Sequence, residues 1–139
     1  MPPRLDDRIS IADDEDLWRR VNPLQLCFQR TENLDWRPTS AVFLDRGREL
    51  SVHRSSLTSV ESVLSQLPYH SLVALKASVP REIGCAVCPD PIRGDAVLAD
   101  DPSHALICPN PDTGINKLKT MAKQMAMKAT WVVLRDPPY

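Results

Sequence analysis

Three cysteines and one histidine in the middle of the chain have the spacing of a zinc site. Cys85 and Cys88 are separated by two residues, and after a gap of 15 residues come His104 and Cys108, separated by three. Zinc favours thiolate and imidazole ligands, and two cysteines at this spacing can present both thiolates from one tight turn. The pattern therefore predicts one structural zinc ion held by these four side chains. The alternative is that the cysteines are small core residues, because the residues between His104 and Cys108 read as a buried strand.

Four of the chain's five lysines form a second distinctive group, because no acid lies among them between Asp112 and Asp136. They are Lys117, Lys119, Lys123 and Lys128. They flank the apolar stripe of a helix predicted over about 113–129, where they would present positive charge to an acidic partner or a phosphate backbone. The alternative is a helix docked on the core, whose lysine stems follow the edge of the apolar stripe while their charges stay in water.

Trp36 and Arg37 lie, with Pro38, in the segment from Thr31 to Thr39, which reads as a loop. Tryptophan and arginine are among the residue types most enriched at protein–protein interfaces. We therefore predict that Trp36 and Arg37, together with the four lysines, contact a partner protein. A nucleic-acid partner has weaker support, because aromatic residues make up only 5% of the chain and residues 1–16 carry six acids against two arginines.

The sequence contains no recognisable catalytic motif. It lacks G-x-S-x-G, H-E-x-x-H and a glycine-rich phosphate loop, and it has only four glycines. The remaining candidates for catalysis are Arg37, Ser40, His53 and His104, with Cys88 or Cys108 as a nucleophile. His53, at the end of a predicted strand, and His70, after a predicted helix, are interpreted as surface histidines.

Length and composition indicate one globular domain. The chain has 139 residues, of which 42% are hydrophobic and 25% are charged. No apolar run approaches the roughly 20 residues that cross a membrane, and the first ten residues lack the apolar core of a secretory signal. We therefore expect a cytoplasmic protein without a membrane partner. Thirteen prolines against four glycines indicate short elements joined by stiff connections.

Residue patterning predicts the elements that position these groups. A flexible N-terminal arm over 1–10 precedes a single domain over 11–139, which contains a proline-rich segment over 80–111. Helices are predicted over about 13–21, 58–67 and 113–129. Strands are predicted over 24–28, 40–44, 49–53, 72–79 and 131–134, with 40–44 and 49–53 forming a hairpin, and weak strands over 96–99 and 105–108. The predicted fold class is α+β, a single small domain with a mixed or antiparallel sheet of five or six short strands and about three helices.

Three features favour a non-catalytic accessory or regulatory protein that acts through protein–protein contacts. They are the small size of the chain, its acidic N-terminal and basic C-terminal regions, and the lack of a catalytic motif. One alternative is a nucleic-acid-binding module stabilised by zinc, which would use the cysteine–histidine group and the lysines. A second alternative is a small hydrolase or transferase that depends on a cysteine or a histidine. The expected cofactor is accordingly none, or one structural zinc ion.

Overall fold

The computed structural model describes residues 10–45 and 48–136, which form an α+β domain. Its strands are β1 Asp16–Val21, β2 Phe28–Arg30, β3 Trp36–Pro38, β4 Leu50–Arg54, β5 Ser71–Lys76, β6 Ala86–Pro89, β7 His104–Cys108 and β8 Thr130–Val133. Its α-helices are α1 Val60–Val63, α2 Ser78–Glu82 and α3 Ile115–Lys128. Six strands make one antiparallel sheet in the order β6-β7-β4-β1-β5-β8, and β2 and β3 form a separate hairpin. The predicted fold class is confirmed.

The two faces of the large sheet have different coverings. Alternation along the strands sends Leu17, Val52 and Ile107 to one face, where they join the apolar side of α3 in the main core. The opposite face carries a second, smaller core beneath α1, built around Val63 and Leu72. On the β4–β7 side of the opposite face, strand alternation places Ser51, His53 and His104 together with Leu106.

The prediction of a helix over 13–21 is wrong. Residues 16–21 form β1, which is central in the sheet and pairs with β5 along its whole length, from Asp16 opposite Lys76 to Val21 opposite Ser71. The acids-first, bases-last order that suggested a helix is compatible with a strand. Pairing on both sides, with β4 as well as β5, determined the conformation.

Several other boundaries differ from the sequence predictions. Residues 25–27 and 40–43 form 3₁₀-helices, so the predicted strand over 40–44 and its hairpin with 49–53 are absent. The predicted helix over 58–67 shortens to the four residues of α1, capped by the Ser59 side chain. No strand forms over 96–99.

The remaining predictions agree with the structure more closely. The helix over 113–129 corresponds to α3, and the strands over 105–108 and 131–134 correspond to β7 and β8. The predicted N-terminal arm lies outside the described residues apart from Ser10. Within the described part of the chain, no helix combines the length and the apolar character that crossing a membrane requires.

Candidate functional site

A cleft of about 990 Å³ opens on the sheet face opposite α3. Its floor is the outward face of β4 and β7, which presents His53 and His104. One wall is formed by the segment around α1, which presents mainly serine and threonine hydroxyls. The other wall is formed by residues 92–102, which include two adjacent aspartates. The cleft therefore brings together polar groups that are far apart in the sequence.

The two histidines are direct neighbours across the sheet. His53 in β4 is paired in register with His104 in β7, and their ring centroids lie 6.1 Å apart with the rings nearly perpendicular. Paired residues of antiparallel strands point to the same face, so both imidazoles border the cleft. His53 is only 8% exposed, which distinguishes it from the surface histidine that the sequence analysis predicted.

Asp101 orients the ring of His53. Its Oδ2 lies 3.0 Å from Nδ1 of His53, and its Oδ1 accepts hydrogen bonds from both the hydroxyl (2.6 Å) and the backbone N–H (3.0 Å) of Ser103. Because Ser103 satisfies one carboxylate oxygen, the other is directed at the imidazole. The arrangement places the Nδ1 proton against Asp101 and leaves Nε2 as the ring nitrogen with an available lone pair.

His104 has a matching partner in Asp90. Nδ1 of His104 lies 2.9 Å from the backbone oxygen and 3.1 Å from Oδ2 of Asp90. The backbone N–H of Asp90 in turn donates to the carbonyl of His104, at 2.9 Å. Both imidazoles thus have Nδ1 directed to an acidic residue, the arrangement that fixes the tautomer and orientation of catalytic and ligand-binding histidines.

Backbone and side-chain hydrogen bonds within the segment 90–101 position the carboxylates of Asp90 and Asp101. Ile92 and Asp101 exchange two backbone hydrogen bonds of 2.9 Å, which close the base of the loop. Within it, Asp95 accepts the backbone N–H groups of residues 97 and 98, and Asp100 accepts that of Gly94 at 3.0 Å. Gly94 has a φ of 63°, which glycine adopts without strain. Hydrogen bonds to its own aspartates therefore stabilise the loop, and its two ends, Asp90 and Asp101, contact His104 and His53.

Burial and neighbouring charge set the protonation of the first pair. Burial lowers the pKa of His53, and the nearby cation of Arg20 lowers it further, while Asp101 opposes the shift. Burial by itself would raise the pKa of Asp101, but the hydrogen bonds from Ser103 and the charge of His53 outweigh it, so this carboxyl titrates below its ordinary value. At neutral pH the pair is a neutral imidazole beside a carboxylate, the form that accepts a proton at Nε2.

The predicted zinc ligands do not converge. Cys85 packs with Ile107 and Met121 on the α3 face, whereas strand alternation puts Cys88, His104 and Cys108 on the opposite face. Along β7, His104 and Cys108 are four residues, or about 13 Å, apart, which is farther than the two side chains reach to one ion. Within residues 10–45 and 48–136, no three histidine, cysteine or acidic side chains are grouped to hold a metal.

Trp36 and Arg37, predicted to contact a partner, have well-defined contacts within the chain. The carbonyl of Trp36 accepts a hydrogen bond from the indole N–H of Trp131, at 2.9 Å. Arg37 donates from Nη2 to three carbonyls at the C-terminal end of α3, those of Ala126, Met127 and Ala129, at 3.0–3.2 Å. The bonds of Arg37 dock the β2–β3 hairpin onto α3, and that of Trp36 ties the hairpin to β8; the predicted partner contact of both residues stays a prediction.

All four predicted lysines, Lys117, Lys119, Lys123 and Lys128, are exposed on α3. Lys123 also lines a groove of about 260 Å³ between α3 and the β2–β3 hairpin, together with Arg37 and the 71% exposed Met127. The structure thus brings two of the six predicted partner-binding residues to one groove. The histidine cleft lies on the other side of the sheet.

Sequence reasoning missed most of the cleft. It named His53 and His104 among candidates but not Asp90, Asp101 or Arg20. One local signal was available, because Asp101 precedes His104 by three residues in a segment with several aspartates. The pairing of Asp101 with His53, 48 positions earlier, depends on strand register and had no local signal.

Comparisons of the chain with protein-family models, with curated proteins and with solved structures found no match.

Proposed function

We propose that this protein is a small hydrolase or transferase that uses His53 and His104 as its acid–base pair. The observation that carries the proposal is the pairing of two adjacent cleft imidazoles with carboxylates at Nδ1, His53 with Asp101 and His104 with Asp90. One alternative predicted from the sequence is a small hydrolase or transferase that depends on a cysteine or a histidine, and this proposal is the histidine-dependent form of it. The cysteine-dependent form has less support, because its candidate nucleophiles, Cys88 and Cys108, are not among the described residues that line the cleft.

The proposed chemistry needs no redox partner. Nε2 of His53 accepts a proton from a water or substrate hydroxyl, whose oxygen then forms a bond to the electrophilic atom of the substrate. As the bond to the leaving group breaks, Nε2 of His104 donates a proton to the departing oxygen. Transfer of a proton back from His53 to His104 through solvent restores the starting state. Asp101 and Asp90 act as positioning residues that hold each ring by Nδ1.

The test is a comparison of His53→Gln and His104→Gln with His70→Gln on activated carboxylate and phosphate esters. Each cleft variant should lower kcat about 10²- to 10⁴-fold, the usual contribution of a general acid or base. His70 lies outside the hydrogen-bonded pairs, so its variant should keep wild-type turnover. Thermal unfolding of each variant establishes that the fold is retained. Turnover that survives both cleft substitutions would refute the proposal.

A second candidate function is the accessory role expected from the sequence. The groove beside Lys123 supports it, because an exposed methionine and a lysine on a helix face without acids suit an acidic, partly apolar segment of another protein. Lys123→Glu should weaken binding of such a partner at least tenfold in a titration with the purified complex. The variant His53→Gln should leave the same affinity unchanged. Equal affinity of Lys123→Glu and wild type would remove this candidate.

A further inference from the structure

We infer that the substrate of this cleft is a phosphate ester whose phosphoryl group is held by Arg20 and the hydroxyls beside it. The inference rests on the proposed function, since it names a substrate class for the same site. It adds a binding role for the wall of the cleft around α1, which the acid–base proposal leaves unused.

Arg20 is a fixed cation for which the described residues supply no acidic partner. It is an exposed residue of β1 that borders the cleft, and its Nε donates to the carbonyl of Val63 at 2.8 Å. This bond fixes the guanidinium while leaving its terminal nitrogens for a ligand. Among the described residues no carboxylate pairs with Arg20, in contrast to Arg54, which pairs with Glu15 at 3.0 Å. A fixed guanidinium fork is well suited to phosphate oxygens.

Hydroxyls on the same wall complete a set of donors. Thr58 and Ser62 border the cleft on the side of Arg20 with hydroxyls that can donate, whereas the hydroxyl of Ser59 donates to Ser62 Oγ at 3.1 Å and caps α1. A phosphoryl group has several equivalent oxygens and needs several donors, whereas a carboxylate is satisfied by the guanidinium alone. The combination of one guanidinium with several hydroxyls therefore favours phosphate over carboxylate.

Negative charge in the cleft is confined to the opposite wall. Asp101 is held by His53 and Ser103, and Asp100 accepts the backbone N–H of Gly94. No carboxylate in the described part of the chain pairs with Arg20, and its charge is close enough to His53 to lower the pKa of that ring. An anion bound at Arg20 is therefore on the wall away from Asp100 and Asp101, and it is next to the proposed base.

The corresponding reaction balances without a metal. Nε2 of His53 takes a proton from the attacking water or hydroxyl, a new P–O bond forms and the ester P–O bond breaks. Nε2 of His104 gives its proton to the leaving oxygen. Arg20 compensates the charge that spreads over the phosphoryl oxygens in the transition state.

Inorganic phosphate is the probe for this inference. It is titrated into the full-length protein at constant ionic strength, with chloride as the reference, and ring C–H signals of His53 are followed by NMR. Saturable shifts are expected with phosphate in the wild type. The affinity should fall at least tenfold in Arg20→Gln. Lys119→Gln removes the same charge from α3 on the other side of the sheet and should bind as the wild type does.

Arg20→Lys is a second variant in case Arg20→Gln does not fold. It retains a cation but loses the guanidinium fork, so it should bind phosphate with intermediate affinity. Absence of a phosphate-specific shift at His53, or equal affinity in Arg20→Gln and wild type, would overturn the inference. Failure of the two proposals can be told apart. Histidine-dependent turnover of carboxylate esters without phosphate binding refutes only the inference. Arginine-dependent phosphate binding without turnover of any ester refutes the acid–base function and, with it, the assignment of a substrate, and leaves only an anion site at Arg20.

Discussion

Burial has opposite chemical consequences for the imidazole of His53 and the thiol of Cys85. It favours the neutral form of each, lowering the pKa of His53 and raising that of Cys85 to about 11. For an imidazole the neutral form is the base, so burial keeps His53 ready to accept a proton at neutral pH. For a thiol the neutral form is a poor nucleophile and a poor metal ligand, so burial makes Cys85 a core residue.

The lowered pKa of His53 predicts how stability depends on pH. Between its folded pKa and its ordinary value of about 6.5, the unfolded chain binds more protons than the folded one. The free energy of unfolding should therefore decrease as the pH is lowered from 7.5 to 5.5. His70, whose pKa burial also lowers, contributes in the same direction. Urea unfolding at the two pH values measures the change.

The variant His53→Gln isolates the contribution of the cleft. It should show a smaller loss of stability over the same pH interval, while His70→Gln reports the other histidine. The carboxyls of Asp101 and Glu15 have pKa values in the folded protein below their ordinary values, so their ionised forms stabilise the fold at pH values above those ordinary values. Their contribution is lost only as the pH falls further, through their lowered folded pKa values. Stability that increases on acidification to pH 5.5 would contradict the assignment.

At the scale of elements, one side chain joins the β2–β3 hairpin to α3. Arg37 bonds with three carbonyls at the end of the helix, where the helix dipole is negative and these acceptors lack partners within the helix. Phe28 of the hairpin also stacks on Trp131 of β8, the strand that follows α3, with ring centroids 5.7 Å apart. The hairpin and the helix therefore stabilise each other.

Arg37→Ala should lower the free energy of unfolding by about 1–3 kcal/mol, because the partly buried carbonyls lose a charged donor. Denaturant unfolding measures the change. Arg30→Ala is the matched control on the same hairpin, since Arg30 contacts the Trp36 ring at 5.0 Å and makes no such cap; its loss should cost less than about 1 kcal/mol. Equal effects of the two substitutions would show that capping contributes little.

At the scale of the whole molecule, the six-stranded sheet separates two kinds of surface. One face is covered by α3 and forms the main core, with Leu17, Val52 and Ile107 nearly or fully inaccessible. The other face carries a smaller apolar cluster beneath α1 and presents the histidines of β4 and β7 to the cleft. The basic face of α3 and the histidine cleft are therefore on opposite sides of the sheet, where a partner and a substrate would not compete.

Local patterns in the sequence determined the elements whose period is strong over many residues. The apolar stripe that includes Leu118, Met121 and Met125 predicted α3 almost to its ends, and the apolar run after it predicted β8. Where the local pattern was compatible with both a helix and a strand, pairing with strands distant in sequence determined the conformation. Residues 16–21 have charges in the order that suits a helix, yet β4 and β5 made them a central strand.

The candidate site was decided by tertiary structure. Strand register places His53 opposite His104, and a loop closed by its own backbone hydrogen bonds brings Asp101 to His53 and Asp90 to His104. Register also separates Cys85 from the other predicted zinc ligands. The physical reason is that residue spacing along the chain determines which side chains share a face within one element, whereas the distance between side chains of different elements depends on how those elements pack.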